Sequence, residues 1–465
     1  MSSDIIIAIA TPPGAGAIGI VRLSGAGCID LINPFFDGRD LLDAPARYAH
    51  FGVLQDAGEE PIDEVLLTLY RAPHSYTGED AVEISCHASP YILQRVLELG
   101  ADAGARLAGP GEFSQRAFLN GKLDLSQAEA VADLIASRSA AAHRLALGQL
   151  RGGVSNEITE LRAKLIDFAS LIELELDFGE DDVEFADREQ LRQLVSGIRQ
   201  RIEQLTTSFR LGNAIKEGVA TVIAGRPNAG KSTLLNALLN EDRAIVSDIP
   251  GTTRDTIEEA VNIGGITFRL IDTAGIRDAT DTVEAMGVER TLREVAVGQL
   301  LIYVFDIIDT DPASLTADLD RLYRPELELV VVANKMDLNP YTKYVHYFGP
   351  DYSGKFAVPP ERFVPMIASE GSNLSYLRET LLNVVTQGKG YDAQELILSN
   401  ARHYASLTRA DEALARVLDG LESGLSPDLV AMDIRQSLRD LGEITGEITT
   451  DDLLGNIFSN FCIGK

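Results

Sequence analysis

The spacing of apolar and polar positions changes character three times along the chain. IIIAIA (5–10) and IGIVRL (18–23) are short β-branched runs separated by the turn-forming TPPGAGA, and EVLLTLY (64–70) and AVEISC (81–86) predict two more strands. YILQRVLEL (91–99) has helical spacing. From Ser126 the pattern becomes that of long amphipathic helices, with Ser126 and Glu129 placed as a capping box at the start of the first one. Ile158, Leu161, Leu165, Phe168 and Ile172 recur at three- and four-residue intervals, as do Leu191, Leu194, Ile198, Ile202, Leu205 and Phe209. The same texture returns after about residue 395 with Tyr404, Leu407, Leu414, Val417 and Leu421. Between the two helical stretches, VATVIAG, FRLID, LLIYVFD and LELVVVANK alternate with helical segments, the rhythm of a parallel sheet with crossover helices. The predicted organisation is multidomain α/β: a mixed α/β domain over 1–120, a helical domain in two parts over 121–217 and 386–465, and an α/β domain inserted between them over 218–385.

Charge narrows the function classes. The 465 residues carry 70 Asp and Glu against 41 Lys and Arg, a formal net charge of −29. Residues 1–120 alone hold 16 acids and 7 bases, and 218–385 hold 24 and 15, so no segment is a basic arm. That excludes a general nucleic-acid coat working through a basic surface. The 45% hydrophobic content is ordinary for a folded chain. Cys28, Cys86 and Cys462 cannot form a disulfide framework and none stands at metal-ligand spacing, which points to the cytoplasm. The start, MSSDIIIAIATPPG, lacks the basic region and long apolar core of a signal peptide, and no run approaches a membrane span.

The insert carries the clearest chemistry. Gly225-Arg226-Pro227-Asn228-Ala229-Gly230-Lys231-Ser232 matches G-x-x-x-x-G-K-[ST] behind a predicted strand, with Thr233 continuing into a helix. Backbone N–H groups there cradle phosphate oxygens, Lys231 reaches the β- and γ-phosphates and the Ser232 hydroxyl binds Mg²⁺. The bland alternative is a glycine turn opening a helix. Asn334-Lys335-Met336-Asp337 follows the apolar LVVVA, and a buried carboxylate at Asp337 would accept from guanine N1 and N2, a pair that adenine does not offer. Between them lie Asp272-Thr273-Ala274-Gly275, suited to sensing Mg²⁺ and the γ-phosphate, and Pro250-Gly251-Thr252-Thr253, where a threonine can supply a second hydroxyl to Mg²⁺. The four motifs stand in the order found in Ras-like and translation-factor-like GTPases. Two positions depart from those proteins. Ile276 follows D-T-A-G where a water-orienting Gln is usual, and the last base loop reads Ile367-Ala368-Ser369, leaving the Ala368 N–H as its contact to the guanine oxygen.

Other motifs are decoys or stay open. Gly14, Gly16 and Gly19 spell G-x-G-x-x-G, but a strand pattern follows where a dinucleotide site needs a helix. Cys462-Ile463-Gly464-Lys465 outlines a C-a-a-X prenylation site, against which Gly464 and the terminal Lys465 argue. Cys462 itself reads either as a small core residue beside Ile457, Phe458 and Phe461 or as a nucleophile or proton donor. The acidic run at 177–182 reads as a solvated bend between helices.

GRPNAGKSTLLNAL, IVSDIPGTTRD, DTAGIRD and the terminal FSNFCIGK, with ATPPGAGAIGIVRLSG, SYTGEDAVEIS and PGEFSQRAFLNGKLDLSQAEAVADLI, resemble the MnmE (TrmE) family of tRNA-modification GTPases over essentially the whole chain. The resemblance implies a homodimer with an N-terminal folate-binding and dimerisation domain, a central helical domain and an inserted Ras-like P-loop GTPase domain. It implies work with a flavin-containing partner, MnmG (GidA), in a heterotetramer or larger complex on tRNA. There the pair would install an aminomethyl or carboxymethylaminomethyl group at C5 of the wobble uridine, U34, from a 5,10-methylene- or 5-formyl-tetrahydrofolate. It further implies folate contacts at Arg22, Glu83, Lys122 and Lys465 and a role for Cys462 in the modification chemistry. GTP and GDP would bind with Mg²⁺ on Ser232 and Thr253, contacted also at Ala229, Gly230, Asp248, Pro250 and Gly251. A K⁺ ion held by Asn228, Ser247, Ile249 and Thr252 would promote pairing of the G domains, with Glu284 orienting water. The rival from another class is a regulatory GTPase switch acting on ribosome assembly without modification chemistry; a folate-dependent transferase with an idle G domain is a third reading.

Overall fold

In the computed structural model the described residues are 4–177, 188–243, 259–271, 292–388, 396–459 and 461–464. They form two compact units, one of Met1–Ala136, Ala146–Glu203 and Ala405–Lys465, the other of Ser137–Leu145 and Gln204–Tyr404.

The first unit opens with β1 (Ile6–Ile9), β2 (Gly19–Ser24), α1 (Cys28–Ile32), β3 (Phe36–Asp37), β4 (Ala49–Gln55), β5 (Pro61–Tyr70), β6 (Ala81–Cys86), α2 (Pro90–Asp102) and β7 (Arg106–Leu107). The seven strands make one sheet in the order β3-β4-β5-β6-β2-β1-β7, antiparallel throughout except for the parallel β1–β7 pair. Strand alternation sorts the faces. Val65, Leu67 and Leu69 are buried with Val21, Leu23 and Ile84 against Ile29, Leu93 and Val96 of the two helices. The β2–β6 register sets Arg22 opposite Glu83. The run after Gly14-Ala15-Gly16 is strand β2, not a helix, so no dinucleotide fold is present there.

Helices α3 (Glu112–Leu119), α4 (Leu125–Ala136), α5 (Ala140–Leu150), α6 (Gly153–Asp177), α7 (Arg188–Glu217), α11 (Ala401–Ser423), α12 (Pro427–Thr445) and α13 (Asp451–Phe458) give the helical texture read from the sequence. The cap of α4 differs from expectation. Asp124 Oδ1 accepts from Gln127 N at 2.8 Å and Gln127 Oε1 accepts from Asp124 N at 2.9 Å, so the reciprocal box is D-x-x-Q and Ser126 lies buried inside the helix. Arginines tie the bundle across long sequence gaps. Arg199 makes paired bonds of 2.9 and 3.1 Å to Asp411, and Arg162 donates to Glu447 and to the Leu438 carbonyl.

The second unit is built on β8 (Val219–Ala224), α8 (Lys231–Arg243), β9 (Glu259–Ile263), β10 (Ile266–Leu270), β11 (Leu300–Asp306), α9 (Pro312–Leu322), β12 (Glu328–Asn334), β13 (Phe363–Pro365) and α10 (Leu374–Thr386). Its six-stranded sheet runs β13-β12-β11-β8-β10-β9. The five strands from β13 to β10 are parallel, as the alternation predicts. The edge strand β9 is antiparallel, because Gly264-Gly265 closes a tight hairpin into β10. Every residue of β8 and β11 is buried, the mark of strands covered on both faces.

Candidate functional site

In the second unit the two nucleotide motifs lie at the C-terminal ends of parallel strands. β8 stops at Ala224 and α8 starts at Lys231, so the intervening six residues wrap the helix N-terminus, the geometry that favours phosphate. Lys231 Nζ donates to the carbonyls of Gly225 and Arg226, both at 2.8 Å, and burial holds its pKa below the ordinary lysine value. Ala229 is buried, Asn228 is exposed with a left-handed backbone at φ 60°, and Ser232 and Thr233 are exposed in the first turn of α8. Behind the loop, Asp318 of α9 takes Arg226 Nε at 2.6 Å and the Tyr303 hydroxyl at 2.8 Å on one oxygen. That bracing escaped the sequence reading. Its one sequence signal is a lone phenol in the otherwise apolar LLIYVFD.

Asn334 is the joint of the site. It is buried at the end of β12, its Nδ2 donates to the Ala229 carbonyl at 2.8 Å, and its Oδ1 accepts from Ala368 N at 2.9 Å. One amide thus ties the phosphate loop to the 367–369 loop. Gly230 is required for this. Its φ is +98° and a Cβ there would stand 2.1 Å from Asn334 Nδ2. The Ala368 N–H, expected on a guanine oxygen, is engaged by Asn334. Lys335 is left-handed at φ 65°, with Nζ 2.6 Å from Asp306 Oδ2. Met336 N donates to the Met366 carbonyl at 3.3 Å. Asp337, expected as a buried carboxylate, is exposed, because it sits in the turn that Leu338 N closes onto the Lys335 carbonyl at 3.0 Å. Ser247, Asp248, Ile249, Pro250, Gly251, Thr252, Thr253, Asp272, Thr273, Ala274, Gly275, Glu284 and Lys465 lie outside the described residues, as do 178–182 of the acidic run.

The first unit gathers the other group. Arg22 donates through Nε at 2.9 Å and Nη2 at 2.7 Å to Glu83 Oε1, and the Tyr70 hydroxyl donates to Glu83 Oε2 at 3.3 Å. The Arg22 guanidinium also lies 5.6 Å from the Tyr76 ring centroid and 5.7 Å from that of Phe113. Burial leads the causes that raise the Tyr76 pKa, against a hydrogen bond to Ser114 at 2.8 Å. Lys122 is exposed and donates to the Pro73 carbonyl at 3.0 Å, on the same 72–79 loop that carries Tyr76. The C-terminal tail docks on this unit. Ile463 makes a β-bridge with Pro110, and Gly111 N donates to the Cys462 carbonyl at 3.3 Å. Cys462 is exposed, so it is not the small core residue that one reading allowed. Cys28 and Cys86 are buried, and burial raises their thiols to about 12 and about 11, so neither is primed as a nucleophile. Among the described residues no metal-ligand cluster occurs and no helix is long and apolar enough to cross a membrane.

Comparison with known proteins bears on both groups. A family profile described as the MnmE helical domain matches residues 125–462, and one described as the GTP-binding protein TrmE N-terminus matches 5–122. The tRNA modification GTPase MnmE of Cytophaga hutchinsonii is 50% identical over 463 residues, covering 100% of this chain and 98% of the relative. That of Bacteroides thetaiotaomicron is 49% identical over 483 residues, covering 100% of both. The solved structure of Era in complex with MgGDPNP and nucleotides 1506–1542 of 16S ribosomal RNA is similar over 42% of this chain and 65% of its own. Its identity is 25% and its TM-score 0.26, too low to bear on the site. Full-length identity near one half, with family profiles matching residues 5–122 and 125–462, places this chain in the MnmE family of tRNA modification GTPases.

Proposed function

We propose that the protein hydrolyses GTP to drive a tetrahydrofolate-dependent modification at C5 of wobble uridine 34 in tRNA. The observation that carries the one-carbon half is the position of residues 110–113. Phe113 underlies Arg22 at 5.7 Å while Gly111 holds the Cys462 carbonyl at 3.3 Å, so one short segment supports both the arginine and the cysteine. Arg22 and Lys122 suit the carboxylates of a folate tail, and Glu83 suits its pterin edge; Glu83 already accepts from Arg22 and Tyr70, which orients it. The folate would carry the one-carbon unit. Cys462, exposed beside this segment, would be the thiol that takes part, and Lys465 would complete the contact set.

At the other site the Ser232 hydroxyl, a hard oxygen donor at a helix start, fits Mg²⁺, which supplies charge neutralisation when bound. Lys231 holds the phosphates and Asn334 fixes the loops. Asn228, exposed with a left-handed backbone, suits a K⁺ ligand shared when two G domains meet, and Glu284 would orient water in place of the missing Gln. The protein would act in the cytoplasm as a homodimer with the flavin-containing MnmG (GidA). With a net charge of −29 on this chain, tRNA would be held mainly through that partner.

The test is reconstitution. Undermodified tRNA, the flavin protein, GTP and methylene-tetrahydrofolate are combined in K⁺ buffer, omitting each in turn and exchanging K⁺ for Na⁺. Modified U34 should need every component, and GTP turnover should fall sharply in Na⁺. Full modification without folate would refute the one-carbon assignment, and equal turnover in both salts would refute the cation.

A further inference from the structure

The register of the second sheet pairs Asp306, the last residue of β11, with Asn334, the last residue of β12. Asp306 therefore stands beside the loop that begins at Lys335. Its side chain is 8% exposed and that of Lys335 is 34% exposed. One carboxylate oxygen accepts from Ile308 N at 2.9 Å, fixing the acid in its own turn, and the other accepts from Lys335 Nζ at 2.6 Å. The turn is held in place in its own right, since the Tyr347 hydroxyl donates to the carbonyls of Ile307 at 3.3 Å and Thr310 at 3.1 Å. A buried carboxylate needs a cation nearby, so the acid constrains where the ammonium rests. Lys335 also holds a left-handed backbone at φ 65°, which a non-glycine residue keeps only when its surroundings enforce it.

We propose that Asp306 is a positioning residue for nucleotide recognition: by fixing the Lys335 ammonium away from the base, it lays the lysine's four-carbon stem out as the apolar wall of the purine pocket. An unanchored lysine would carry its ammonium into water and take the stem with it. Nothing in the sequence marks Asp306, which reads only as the polar end of an apolar strand. This inference rests on the reading of 334–337 as the base-reading loop.

The experiment follows dissociation of a fluorescent guanine nucleotide, mant-GDP, from the full-length protein after a chase with unlabelled GDP. Asp306→Asn, Lys335→Met and the double variant are compared with wild type, with thermal unfolding recorded for each. Asp306→Asn should dissociate about fivefold faster or more, the scale of one partly exposed charge-assisted hydrogen bond. The double variant should be no faster than Lys335→Met alone, because the acid acts only through the lysine. An unchanged rate in Asp306→Asn, or rates that multiply in the double variant, overturns the inference. If Asp306→Asn does not fold, Lys335→Met decides alone: it keeps the stem but loses the anchor, so a wild-type rate there also overturns it. Failure of wild type to bind mant-GDP would instead overturn the reading of the base loop, and the inference with it.

Discussion

Arg116 is only 6% exposed and yet keeps a full charge, which its neighbours explain. It meets Asp4 at 2.8 Å, Glu112 at 3.1 Å and Glu79 at 3.2 Å, while Arg106 closes the other side through Glu112 at 2.5 Å and Asp4 at 2.7 Å. Burial alone would push the Glu112 carboxyl up; hydrogen bonds from Arg106, the Gly109 N–H and Arg116 outweigh it and hold the group below the ordinary carboxylate range. The Arg106 hydrogen bond leads in lowering Asp4. Both folded values lie below the unfolded ones, so this stability is present above the unfolded carboxylate pKa and disappears as pH falls through the folded one. Urea midpoints should therefore drop between roughly pH 5 and pH 3. Arg116→Gln should cost about 2–4 kcal/mol at neutral pH and flatten that drop. A variant that keeps the wild-type pH slope would show that the acids are held by other groups.

At the scale of elements, α4 shows how two templates compete within one sequence. S-x-x-E at Ser126–Glu129 and D-x-x-Q at Asp124–Gln127 both spell a capping box. Folding selects the second, because Leu125, Ser126 and Ala128 are needed on the buried side of the helix. The Ser126 hydroxyl is left without a hydrogen-bond partner among the described residues. Asp124→Ala should thus cost about 1 kcal/mol in chemical unfolding, whereas Ser126→Ala should be neutral or slightly stabilising. The reverse order would restore the serine cap. Strand β4 was illegible for a related reason. In AHFGVLQ the buried positions are His50, Gly52 and Leu54 while Phe51 is 65% exposed, so the apolar pattern does not follow the burial and pairing with β3 and β5 identifies it as a strand.

For the whole molecule, the docked C-terminus is the decisive long-range feature. Gly464 has φ +96°, and a Cβ there would lie 2.4 Å from the Ile9 carbonyl, on the strand next to the one that carries Arg22. Gly464→Ala should therefore displace the tail, abolishing the U34 modification proposed above while leaving GTP turnover within about twofold of wild type, since the nucleotide loops lie in the other compact unit. Loss of both activities would mean that the tail supports the fold at large. The net charge of −29 belongs at this scale too. It is an excess of acids over bases, so pairs such as Arg199–Asp411 and Arg409–Asp440 leave it unchanged while engaging two of the arginines.

The sequence by itself determined what depends on neighbours along the chain. Helical spacing, the alternating strands of the second unit and the phosphate loop between β8 and α8 are local patterns, readable within a window of one element. Tertiary structure alone decided which polar groups meet. Asn334 reaches Ala229 across 105 positions, Lys335 reaches Asp306 across 29, and Arg162 reaches Glu447 across 285. No periodicity encodes such pairs, because each is fixed by strand register and helix packing. For the same reason Asp337 was expected inside and lies outside, and the exposure of Cys462 could be read only once its tail had found Pro110.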